Sequence, residues 1–144
     1  MNSTATIYQR LTADDLLGFD LVEYQGLPAI FDDAAPEDFN GFHAERMVIV
    51  IAAPSSDEAA ETFTETGRLI RQDVRIYARR SNDNAPIDAA ARRMRALFHN
   101  RPGELFVQGG KAVVSTVTGP VSAPDPDPSI IGRRITLRLE LQET

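Results

Sequence analysis

The chain has 144 residues and a mass of 15.8 kDa, enough for a single domain spanning 1–144, and its 42% hydrophobic and 25% charged residues place it outside intrinsically disordered sequences. It has no cysteine, which excludes disulfides, a catalytic thiolate and Cys-based zinc or iron–sulfur sites. A net charge of −6 and a pI near 4.9 argue against sequence-independent DNA binding, and nothing approaches the roughly 20 apolar residues of a membrane span or a basic-then-apolar leader, so the expectation is a soluble protein made in the cytoplasm.

In chain order, Ser3 or Thr4 is suited to cap a first helix with Ile7, Tyr8 and Leu11 at helical spacing. Thr12-Ala13-Asp14-Asp15 resembles a capping box with Asp in place of Glu, a point where the helix can break and restart. Residues 18–44 show no sustained period and carry Gly26, Pro28, Pro36 and Gly41, so a long connection is expected, with a short edge strand at 27–31. Residues 45–52 form an apolar β-branched run, expected to be a central strand covered on both faces. An acidic connection at 55–61 precedes a long strand, Phe63 to Arg79. There Ile70, Val74, Ile76 and Ala78 alternate with Arg71, Asp73, Arg75, Tyr77 and Arg79, giving one buried face and one available face.

Ser81-Asn82-Asp83-Asn84 followed by Pro86 opens a second helix reaching about Asn100. Ile87, Ala91, Met94 and Phe98 form its apolar face, and Asp88 and Arg92 stand at the i, i+4 spacing of an ion pair. A turn at Gly109-Gly110, a strand at 112–121, a proline-stiffened loop at 123–128 and a half-buried final strand around Ile135, Leu137, Leu139 and Leu141 complete the chain. This order predicts an α+β fold: a mainly antiparallel sheet of four to five strands with two main helices packed on one face.

No constellation points to catalysis, a metal or a cofactor. His43 and His99 belong to no metal-binding spacing, and His99 reads as a last-turn helix residue favoured by the macrodipole. Gly109-Gly110-Lys111 lacks the remainder of a phosphate loop and reads as a hairpin turn, the acids at 32–38 lack a calcium-loop pattern, and no nucleophile elbow occurs. The candidate surface is basic. Arg79, Arg80, Arg92, Arg93, Arg95 and Arg101 cluster around the second helix, either as a solvated face or as an interface for acids of a neighbouring copy, namely Asp57, Glu58 and Glu61 or Asp32 to Asp38. Repeated head to tail, such a contact closes a ring.

Several phrases resemble the tail terminator, or tail completion, proteins of siphophages and related gene transfer agents. They are the Asp-rich run from Phe31 to Phe39, Val74-Arg75-Ile76-Tyr77-Ala78 entering a polar turn, and Ile87-Asp88-Ala89-Ala90-Ala91 leading to Ala96-Leu97-Phe98. Gly119-Pro120, followed by a loop and Gly132-Arg133-Arg134-Ile135-Thr136-Leu137, extends the resemblance over most of the chain. It implies a non-enzymatic virion subunit without cofactors, forming a homohexameric ring at the tail–neck junction. Such a ring stops tail tube polymerisation, contacts the tail tube protein and the head–tail connector, and lets DNA pass through its lumen without specific binding or membrane contact. The alternatives are a head-completion or neck subunit and a small ligand-binding or enzyme domain.

Overall fold

The structure is a computed structural model and describes residues 3–42, 46–59, 67–107 and 110–143. The first helix, α1 (Ser3–Thr12), breaks at the expected place and restarts as α2 (Asp15–Phe19), because the Asp14 side chain accepts the Leu17 amide at 3.1 Å and caps the new turn. The stretch expected to be a plain connection is more ordered than that. It holds a two-strand hairpin, β1 (Glu23–Tyr24) and β2 (Leu27–Pro28), whose tip residues Gln25 and Gly26 both have positive φ, the requirement of a type I′ turn. The edge strand expected at 27–31 divides between β2 and β3 (Ile30–Asp32).

Three further strands follow: β4 (Val48–Ile51), β5 (Ser56–Ala59) and β6 (Gly67–Arg79). The acidic segment expected to be a connection is thus partly the strand β5, paired antiparallel with the first half of β6. The start of the long strand expected at Phe63, like His43, lies outside the described residues. Helix α3 (Ala85–Phe98) and a short 3-10 turn (Pro102–Glu104) lead to β7 (Phe106–Val107), β8 (Gly110–Ser122) and β9 (Ile130–Glu143). The register Val107↔Gly110 pairs β7 antiparallel with β8, so Gly110 of the expected Gly-Gly turn belongs to the strand, while Gly109 lies outside the described residues.

Among the described residues the main sheet has seven strands, more than the four to five expected, in the order β3-β4-β6-β9-β8-β7 with β5 also on β6. It is mixed, since β3 runs parallel to β4, while every other pairing is antiparallel. Strand β4, expected to be central, lies second from the edge, yet three of its four side chains are buried.

The longest pairing, β6 with β9, sorts side chains by face. Ile70, Val74, Ile76 and Ala78 share a face with Ile131, Ile135, Leu137, Leu139 and Leu141, and all are buried under α1 and α3. From α3 the side chains of Ile87, Ala90, Ala91, Met94, Leu97 and Phe98 close this core. Its most deeply buried polar side chain is Gln72. Gln72 is fully buried, accepts a hydrogen bond from the Ser3 hydroxyl at 2.7 Å, and donates to Thr4 Oγ1 at 2.7 Å and the Ala52 carbonyl at 2.8 Å, so it clamps the start of α1 to the sheet. No described helix is long and apolar enough to cross a membrane.

Two substitutions check this core by denaturant unfolding. Phe98→Ala should lower stability by about 3–5 kcal/mol, the price of a cavity at a fully buried ring. Gln72→Leu should lower it by about 1–3 kcal/mol by stranding the Ser3, Thr4 and Ala52 groups, and a neutral result would show that these groups rehydrate freely.

Candidate functional site

The apolar side of α3 is turned into the core, so Arg92, Arg93 and Arg95 emerge away from it. They do not form one patch with the other arginines. Arg79 and Arg80 precede α3 and Arg101 follows it, about 20 Å apart along a helix of 14 residues. Several are engaged within the chain. Arg93 grips Asp14 through two hydrogen bonds, at 2.6 and 3.0 Å. Arg101 donates from Nε to the Ala96 carbonyl at 2.9 Å, and Arg80 donates from Nε to the Pro128 carbonyl at 2.9 Å. Asp57 pairs with Arg68 at 2.7 Å. Glu61 lies outside the described residues.

The remaining candidates face outward. Arg92 is exposed and its side chain has no ion pair among the described residues, and Glu58 likewise. Arg95 is half-buried with its Nε shielded and without an acceptor. Arg79 is exposed and close enough to Asp127 to help lower that carboxyl, after the Ser129 side-chain and backbone hydrogen bonds that dominate. Two expected local interactions take a different form. Asp88 pairs with Arg133 of β9 at 2.8 Å and not with Arg92, since β9 brings a guanidinium directly over the first turn of α3. His99 caps α3 and accepts the Val117 amide at its Nδ1, 3.1 Å, linking helix to sheet; it is not simply a cation for the macrodipole.

A second basic surface emerges only in three dimensions. On the sheet face away from the helices, β6 contributes Arg71, Arg75 and Arg79, and β9 contributes Arg134 and Arg138, with Asp73 and Glu140 as the acids between them. Alternation along β6 marks its own outward residues. The register with β9 adds the rest, setting Arg75 directly opposite Arg134 and Arg71 opposite Arg138. A cleft of about 250 Å³ lies beside Arg75 and Arg134, lined also by Tyr77, Ser122, Ala123 and Pro124. Gly132 underlies Tyr77: a Cβ there would stand 2.7 Å from the ring and 2.4 Å from the Ala123 carbonyl oxygen.

A larger open hollow of about 530 Å³ runs beside α2 and the β1–β2 hairpin, lined by Asp14, Asp15, Phe19, Glu23 and Arg46 among others. Asp14 is bound to Arg93 and is not free to act in it. Among the described residues no three His, Asp or Glu side chains converge as a metal site would.

No protein-family model and no curated protein matches the chain. Among solved structures it superposes on a chain from the virion of a native gene transfer agent particle, with a TM-score of 0.74 and 17% identity, over 96% of this chain and 92% of that one. At this identity the likeness is one of fold, and it extends over nearly the whole of both chains.

The Asp14–Arg93 pair has a definite pH signature. The Arg93 hydrogen bond holds the Asp14 carboxyl below its ordinary value of 3.8, burial opposes this, and the Leu17 amide adds to the lowering. A depressed carboxyl stabilises the fold above its unfolded pKa and loses that contribution as pH falls through the folded value. Asp14→Asn keeps a capping side chain but removes the charge, so it should be less stable than wild type at neutral pH, with the two unfolding curves converging in acid below about pH 3.8. A gap that persists unchanged at lower pH would show that the pair does not act through its charge.

Proposed function

We propose that this chain is a structural virion subunit of the tail terminator class, without catalysis, that closes into a ring on the finished tail tube, stops its polymerisation and presents a surface to the head connector. The observation that carries this reading is the near full-length correspondence of fold with a virion chain of a gene transfer agent particle. The resemblance of the 31–39, 74–78, 87–98 and 132–137 segments to tail terminators supports it independently of the fold.

The arrangement of charge is compatible with assembly. Arg92 and Arg95 on α3 and Glu58 on β5 have no ion partner among the described residues, as expected of groups held for a neighbouring subunit. Within the proposed contact set of Arg79, Arg80, Arg92, Arg93, Arg95 and Arg101 with Asp57, Glu58 and Glu61, these are the groups with capacity to spare. A hexameric ring at the tail–neck junction, with DNA passing through the lumen unbound, is the assembly proposed.

Electron microscopy of the purified protein, alone and mixed with polymerising tail tube protein, tests the reading. Closed rings and capped tubes of arrested length are expected. A monomer that neither forms rings nor arrests tube growth would overturn it. Arg92→Glu with Arg95→Glu should weaken ring assembly while leaving the melting temperature within a few degrees, because neither side chain is in the core. Intact rings from that double variant would remove α3 from the contact.

A further inference from the structure

We infer that the cleft between Arg75 and Arg134 is a carboxylate-binding site, and that its occupant is the acidic loop 33–38 of a second copy of this chain. The inference deepens the subunit contact proposed above and rests on self-association alone, not on any role at a tail tube.

The cleft is electrostatically unfinished. Arg75 and Arg134 stand opposite each other on neighbouring strands, a like-charge arrangement that destabilises a sheet, and beyond the outward pair Asp73 and Thr136 the pair Arg71 and Arg138 repeats it. The acid between them is insufficient. Asp73 Oδ1 is taken by the Thr136 hydroxyl at 2.7 Å, while Oδ2 lies 3.6 Å from Arg75 and 3.9 Å from Arg134, beyond hydrogen-bond length for both. Arg75 Nε is shielded from solvent and has no acceptor, a state that is destabilising unless something supplies one. Meanwhile Arg75 and Arg134 keep side-chain exposures of 40% and 47%, so their guanidinium groups remain reachable. A carboxylate entering the 250 Å³ cleft would meet two guanidinium forks and the polar residues Tyr77 and Ser122 on the wall.

The same chain carries the complementary group. Asp33, Glu37 and Asp38 are exposed and have no ion pair among the described residues. Their loop is held at both ends by aromatic rings, with Phe31 and Phe39 in edge-to-face contact at 5.2 Å and Tyr24 against both, at 5.3 and 5.7 Å. Neither the loop nor the cleft satisfies the other within one subunit, so the contact is heterologous and repeats from copy to copy. A nucleic-acid phosphate offers similar oxygens, but a chain of net charge −6 lacks the basic surplus that binding along a phosphate backbone requires, whereas the loop needs only one cleft for its carboxylates.

Sedimentation velocity over a concentration series tests the inference with the full chain, each variant being checked for a native circular dichroism spectrum. Wild type should associate, and more weakly as salt is raised. Arg75→Glu with Arg134→Glu, and separately Glu37→Lys with Asp38→Lys, should each reduce the association constant about tenfold or more. Mixing the two reversed variants should restore association, which a merely destabilised fold would not do. Unchanged association in either variant, no recovery on mixing, or a monomeric wild type that binds a short duplex DNA through Arg75 and Arg134 would each overturn it. Tubes arrested by variants with unaltered self-association would sink this contact and leave the tail terminator reading standing; rings that never arrest tubes would do the reverse.

Discussion

Thirteen consecutive residue pairs between β6 and β9, from Gly67↔Gln142 to Arg79↔Ile130, are the constraint on which the rest of the molecule depends. Side chains alternate along both strands with the same phase, so the pairing gathers most apolar groups on one side and most charged groups on the other. A slip of one residue would exchange the faces and bury Arg71, Arg75, Arg134 and Arg138. Covering the apolar side takes α1 and α3; once they are in place, the bare side is committed to carrying the charge. The fold and the candidate interaction surface are therefore two results of one register.

The elements legible in the sequence were those whose signal is internal to them. Helix α3 carries its own apolar stripe, proline start and turn residues, and β6 and β9 carry their own alternation; the break after Thr12 was legible too, although the capping side chain is Asp14 and not Thr12, whose hydroxyl bonds back to the Tyr8 and Gln9 carbonyls. Those that escaped depend on neighbours distant in sequence. Strand β5 reads as an acidic connection because Ser56-Asp57-Glu58-Ala59 has no strand character of its own; it is extended because β6 overhangs β4 and offers a free edge there. The parallel β3 is likewise defined by β4, whereas the β1–β2 hairpin is local but too short to show a period, and turns on positive φ at Gln25 and Gly26.

Charge was legible as composition but not as placement. Adjacency in sequence grouped Arg93 and Arg101 with Arg92 and Arg95, yet the first two are tied to Asp14 and the Ala96 carbonyl, partners that periodicity cannot reveal. Conversely, Arg75 and Arg134 are 59 positions apart and meet only because of the β6–β9 register. A net charge of −6 conceals a β6–β9 surface on which five arginines of these two strands share a face with only two of their acids. With charge segregated in this way, like faces of two molecules repel and unlike faces attract.

The ring cluster of Tyr24, Phe31, Phe39 and Phe42 has a thermodynamic consequence. An acidic loop free to wander would have to surrender its conformational entropy at the moment of contact, about 1–2 kcal/mol for each backbone residue immobilised. Here the edge-to-face stack imposes that order during folding, when the sheet and helices form cooperatively. Whatever the loop meets, its carboxylates arrive already arrayed, and more of the electrostatic attraction survives as affinity.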